Sequence, residues 1–179
     1  MKNTTVDSIV KTLQYAKIFS YSLTTSELWK YLISSRKVSR EQLNHVLDQN
    51  RDLFDQNRQY VVLPGDEKLI VERTIRAHES KRKLAKALWI SQILSFIPSV
   101  KLIAISGSLS MYNAKPQDDI DLFFITSKNS LWTTRCMVNL VLVVLGEKRK
   151  RQEKYAMDKI CPNMFISEDS LEIKNKVAE

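Results

Sequence analysis

The chain is poor in the residues from which many functional sites are built. Its two cysteines, Cys136 and Cys161, lie far apart and have no CxxC partner, which argues against both a disulfide framework and a zinc site. Its two histidines, His45 and His78, lack ligand spacing. Long hydrophobic runs are missing as well. The longest, Cys136 to Gly146 and interrupted by Asn139, falls well short of the roughly 20 residues that span a bilayer. A charged amphipathic stretch follows Met1 to Thr5, where a secretory leader would carry its apolar region. The chain has no internal repeat and no low-complexity segment. These absences predict a reduced, cytoplasmic protein without a transmembrane helix.

What remains is an ordinary globular composition. With 44% apolar and 27% charged residues over 179 positions, wholesale disorder and fibrous architecture are excluded, and a sizeable core is within reach. Twenty-eight Lys plus Arg against 20 Asp plus Glu leave a net charge of +8, which favours an anionic partner. That excess is spread almost evenly along the chain. Its densest run is Lys148 to Arg151, with Lys154 close behind.

Hydrophobic spacing organises the chain into three parts, an α+β protein with boundaries at 1–65, 66–99 and 100–179. The first reads as three short helices and two strands. Val6, Ile9, Val10 and Leu13 keep helical spacing. Thr24 with Glu27, and Ser39 with Gln42, form two capping boxes ahead of apolar helices. Leu53-Phe54 and Tyr60 to Leu63 flank a turn expected at Asp55 to Arg58, and Pro64-Gly65 closes the unit. Helix, helix, helix and two-stranded wing is the order of a winged helix. A long connecting helix is expected from about Glu67 to Phe96, stopped by Pro98, with a charge-dense, solvated first half and an apolar second half. Strands and helices then alternate. A buried strand at Leu102 to Ile105 leads to a short helix from Ser108 to about Ala114. Then come a strand at Ile120 to Thr126, a helix from Ser130 to Leu145 and a third strand around Lys159 to Ile166.

The chemistry concentrates between Ser106 and Phe123. Gly107-Ser108 sits where a strand turns into a helix, so glycine permits a close backbone approach and the first helical amides can hold a phosphate. After ten intervening residues beyond Ser108, Asp119 and Asp121 stand at i and i+2, so both carboxylates leave the same face of a strand. Two adjacent carboxylates repel each other unless a divalent metal lies between them. A phosphate cradle beside a metal-binding pair is the apparatus of nucleotidyl transfer.

The pattern Gly-Ser, ten residues, then Asp-x-Asp on a strand resembles the signature of the DNA polymerase beta type nucleotidyltransferase superfamily. The resemblance implies a small mixed sheet with flanking helices over residues 100–179 and transfer of a nucleoside monophosphate from an NTP to an acceptor hydroxyl. By position it assigns Gly107 and Ser108, with Lys115 nearby, to the nucleotide's phosphates. Asp119 and Asp121 become catalytic ligands of Mg2+. The superfamily's third carboxylate, on a later strand, has two candidates here: Asp158 just before the third strand as a catalytic acid, or Asn163 on it as a metal ligand only. An Asn oxygen can ligate a metal but cannot act as a base. Pro162 confines that strand to an edge or a bulge.

The winged helix raises a rival function, a DNA-binding regulator or partner-dependent interaction protein carrying a catalytically weak nucleotidyltransferase-like domain. Its candidate nucleic-acid contacts are Arg36, Lys37 and Arg40, but Glu41 and Asp48 on the same recognition helix weaken that footprint, so nucleic acid ranks below the NTP as the anionic partner. Little apolar sequence follows Ile166. The acceptor site is therefore expected to need a protein partner, a second copy of the chain, or sequence beyond a truncated C-terminus.

Overall fold

The computed structural model describes residues 4–57, 59–149 and 157–171. Its architecture is α+β and divides into two compact units, Met1–Ile75 and Arg76–Glu179, each with its own core. No helix among the described residues is long and apolar enough to cross a membrane.

In the first unit, α1 (Thr4–Ile18) places Ile9 and Leu13 on one buried face. Strand β1 (Leu23–Thr24) leads into α2 (Thr25–Lys30), and α3 (Arg40–Gln49) follows a loop. Both capping boxes form in full. The hydroxyls of Thr24 and Ser39 accept the amides of Glu27 and Gln42, whose side chains accept the amides of Thr24 and Ser39 in return. Each box satisfies two amides that the first helical turn leaves orphaned. Leu28, Leu43, Leu47, Phe54 and Val61 fill the core, each contributing roughly 1.5–3 kcal/mol by burial.

The hairpin departs from the sequence expectation. Phe54 is buried just ahead of the strand, and β2 occupies Asp55–Asn57, where a turn was expected. It pairs antiparallel with β3 (Tyr60–Val62). The register Asn57↔Tyr60 makes residues 55–57 strand rather than turn. Strand β1, too short to show a period, adds to the other edge of β3 and gives the antiparallel order β1-β3-β2.

The long helix α4 spans Lys68–Leu94. Its first half is not simply solvated. Arg73, Arg76, Ser80 and Lys83 are all buried, at alternating steps of three and four residues, and the stripe continues through Ala87, Ile90 and Leu94. The charges survive burial because each is paired. Arg73 binds Glu27 at 3.1 Å and stacks over the Tyr21 ring, and Arg76 donates to Asn113 Oδ1 at 3.2 Å.

In the second unit, β4 (Val100–Ile105), α5 (Gly107–Ser110), β5 (Ile120–Thr126), α6 (Leu131–Val144) and β6 (Ile160–Ser167) build a mixed sheet in the order β4-β5-β6. Strand β4 runs antiparallel to β5, and β6 runs parallel to it after the α6 crossover. The expected burial of β4 is corrected. It is an edge strand, Leu102 is 43% exposed, and Ile103 to Ile105 are only half-covered. Strand β5 alternates strictly, burying Ile120, Leu122, Phe124 and Thr126 and turning Asp121, Phe123 and Ile125 to the other face. The expected edge-or-bulge position of Pro162 is met twice: β6 is the outer strand, and the register slips between Leu122↔Pro162 and Phe123↔Met164. Helix α5 is a single turn, shorter than expected. The chain leaves it through Tyr112 at φ 54°, while the amides of Met111 and Asn113 both close on Ser108 O.

Candidate metal centre

Lys83 sets the stage from below. Its side chain has no solvent exposure, and its ammonium donates to Pro116 O at 3.0 Å, to Asp118 O at 2.7 Å and to Asp158 Oδ1 at 2.6 Å. An ammonium has three donors, so all are spent. Two of them clamp the loop that precedes β5, and the third fixes Asp158. The Asp118 carboxylate tightens the same loop. Its Oδ2 accepts the Lys115 amide at 2.8 Å and the Ser108 hydroxyl at 3.2 Å, which ties the loop to the Gly107-Ser108 turn.

On this frame stand Asp119 and Asp121. Gly107 holds φ 65°, and a Cβ there would lie 2.5 Å from Asp121 Oδ2. Glycine is thus required twice, for the left-handed backbone and for the space the carboxylate fills. The Ser106 amide donates to Asp121 O at 3.0 Å, which locks turn and strand together. On the neighbouring parallel strand Cys161 is the register partner of Asp121. One oxygen of each carboxylate and the Cys161 sulfur lie within 4.8 Å of one another. Arg149, past the end of α6, closes the group with an ion pair to Asp119 Oδ2 at 2.7 Å.

The electrostatics are unbalanced. Burial raises the Asp121 carboxyl above its usual range, and the charge of Asp119 adds to that, while Cys161 and Arg149 offset only part. Burial, then the charges of Asp119 and Asp121, also push the Cys161 thiol up. Asp158 is the opposite case. Burial pushes its carboxyl up, but hydrogen bonds from Arg82 and Lys83, with their charges, more than compensate and hold it below the usual range.

The residues singled out from sequence fall into three groups. Gly107, Asp119 and Asp121 are brought together, with Ser108 and Lys115 attached through Asp118. Lys115 is exposed. Asp158 is instead held in ion pairs, by Arg82 at 2.6 and 2.9 Å and by Lys83 at 2.6 Å, three of the roughly four hydrogen bonds a carboxylate can accept. Asn163 is the extra residue in the β6 bulge and is exposed, while the position beside Asp121 belongs to Cys161. Arg36, Lys37 and Arg40 form a third group in the first unit. All three are exposed, and Arg40 donates to Ser26 Oγ at 2.7 Å. Of the basic run from Lys148 to Lys154, only Lys148 and Arg149 lie within the described residues.

Sequence reasoning missed Lys83, Cys161 and Arg149. Lys83 carried a signal, its place on the stripe Ser80-Lys83-Ala87. For Cys161 the signal was its alignment with Asp121 across parallel strands. Arg149 carried none beyond its charge. The donor set fits a divalent cation in part. Two carboxylates suit Mg2+, while a thiol does not. Comparison with known proteins adds no identity, since no family model, curated protein or solved structure matches the chain.

Proposed function

We propose that residues 76–179 form a nucleotidyltransferase-like unit that binds a nucleoside triphosphate together with a divalent cation. The observation that carries this reading is the junction of the Gly107 turn with Asp121, with an Asp119 oxygen within 4.8 Å of an Asp121 oxygen. Asp119 and Asp121 hold the cation. The first amides of α5, which lack helical acceptors, face the phosphates, with Lys115 on the adjoining loop. When bound, the cation supplies charge neutralisation and Lewis acidity at a transferring phosphoryl group. The chain's own part is to position these groups and, through Arg149, to offer a cation to the triphosphate.

In such a site the reaction is transfer of a nucleoside monophosphate to an acceptor hydroxyl, with release of pyrophosphate. Here Asp158 is spent on Lys83 and Arg82, and Cys161 rather than a carboxylate stands beside Asp121. A strong protein base for the acceptor hydroxyl is therefore missing among the described residues, which puts binding ahead of rapid turnover. The first unit we read as a winged helix that docks a partner. Titration calorimetry with an NTP and a divalent cation tests the reading. Binding is expected in the wild-type chain and is lost in Asp119→Ala with Asp121→Ala. Undiminished binding in that double variant overturns it.

A further inference from the structure

The position next to Asp121 identifies which class of cation this site takes, an inference that rests on the metal–nucleotide reading above. Cys161 and Asp121 are direct partners in the parallel pair β5–β6, so their side chains leave the sheet on the same face, one strand spacing apart. The Cys161 sulfur is within 4.8 Å of an oxygen of both Asp119 and Asp121. Two ligands held about 2.0–2.3 Å from one ion are separated by at most about 4.6 Å, so small side-chain rotations close all three donors on a single ion. Positive charge already sits on these donors. The Arg149 guanidinium pairs with Asp119 at 2.7 Å, so the cluster already faces one cation in the chain as it stands.

A thiolate changes the choice of metal. Mg2+ demands a near-octahedral oxygen shell and gains little from sulfur, whereas borderline dications such as Co2+ and Zn2+ accept carboxylate and thiolate together. We propose that Asp119, Asp121 and Cys161 form one mixed oxygen–sulfur centre, and that its cation is a borderline transition-metal dication of the Co2+ or Zn2+ class rather than Mg2+. On binding, Cys161 loses its thiol proton to solvent and Arg149 swings off Asp119, which its partial exposure permits.

The test is a titration of the full chain with Co2+ alone, in a Cys136→Ser background that removes the other, exposed thiol. A thiolate-to-cobalt charge-transfer band is expected at one equivalent and is expected to vanish in Cys161→Ser. Competition calorimetry then compares Zn2+ with Mg2+. Cys161→Ser should cost Zn2+ about tenfold or more in affinity and leave Mg2+ nearly unchanged, while Cys161→Asp should shift preference toward Mg2+. Cobalt bound through Asp119 and Asp121 without the band, or a Zn2+ to Mg2+ ratio indifferent to residue 161, overturns the mixed centre and leaves the nucleotide reading standing. No cation binding dependent on Asp119 and Asp121 overturns both.

Discussion

Two acidic regions of the second unit are built from the same residue type and balanced in opposite ways. Asp158 faces two cations, Arg82 and Lys83, and its side chain is only 18% exposed. Among the described residues, Asp119 and Asp121 face each other, the Cys161 sulfur and one guanidinium, that of Arg149. The first is an ion-paired acid that ties the start of β6 to α4. Among the described residues the second carries more negative charge than its neighbours neutralise, and burial with the charge of Asp119 raises the Asp121 carboxyl. The difference sets the proposed cation site apart from an ion pair without reference to any relative. Its like charges are held beside a required glycine and above a buried lysine.

The comparison can be broken at several points. The largest effect is expected at its shared support. Lys83→Met leaves Asp158 with Arg82 alone and releases the carbonyls of Pro116 and Asp118. Denaturant unfolding should show a loss of about 3 kcal/mol, the low end for stripping one partner from a buried pair because Arg82 remains. A loss below about 1 kcal/mol would deny Lys83 that role. Gly107→Ala comes next. The left-handed φ and the 2.5 Å approach to Asp121 Oδ2 should cost about 2 kcal/mol and abolish cation binding together.

The two acids should then respond to neutralisation with opposite signs. Asp121→Asn should stabilise the cation-free chain by about 1 kcal/mol at neutral pH, whereas Asp158→Asn should destabilise it. Their pH dependences also diverge. Asp121 has a raised folded pKa, so the folded chain holds the extra proton between the ordinary carboxylate value and the raised one, and stability falls as pH rises through that window. The gain from Asp121→Asn is therefore full at neutral pH and disappears in acid. Asp158 has a lowered folded pKa, so its contribution is present above the ordinary carboxylate value and is lost as pH falls through the folded one. The damage from Asp158→Asn should likewise shrink in acid, and parallel profiles for the two variants would erase the distinction drawn here. The smallest effect belongs to Arg149→Gln. Removing a half-exposed ion pair worth about 1 kcal/mol should raise affinity for a free divalent cation about fivefold.

Local codes were legible in the sequence, and partners across the sheet were not. The boxes Thr24–Glu27 and Ser39–Gln42 form as read because capping is settled within four residues. Gly107 was legible for the same reason, and the proximity of Asp119 to Asp121 came out as read although Asp119 stands just before β5 rather than on it. Leu102 was read as buried because its run is apolar, yet burial depends on having a strand on each side, and among the described residues β4 has one. Lys83 and its neighbours were read as solvated because charge usually marks the wet face of a helix. Here the stripe that buries Ile90 and Leu94 runs on through paired charges. Cys161 was set aside for want of a partner along the chain. Its partners stand across a parallel pairing, with a slip one residue further on, and no spacing rule within the sequence reaches them.

The most direct measurement is thermal unfolding of the wild-type chain and of Asp121→Asn, with and without a saturating divalent cation. A ligand that binds only the folded state raises its Tm. The wild type is expected to start lower and rise on addition of the cation, while Asp121→Asn starts higher and does not move. Equal responses in the two chains, or a wild type indifferent to every divalent cation, would contradict the claim that Asp119 and Asp121 are a site held open for one.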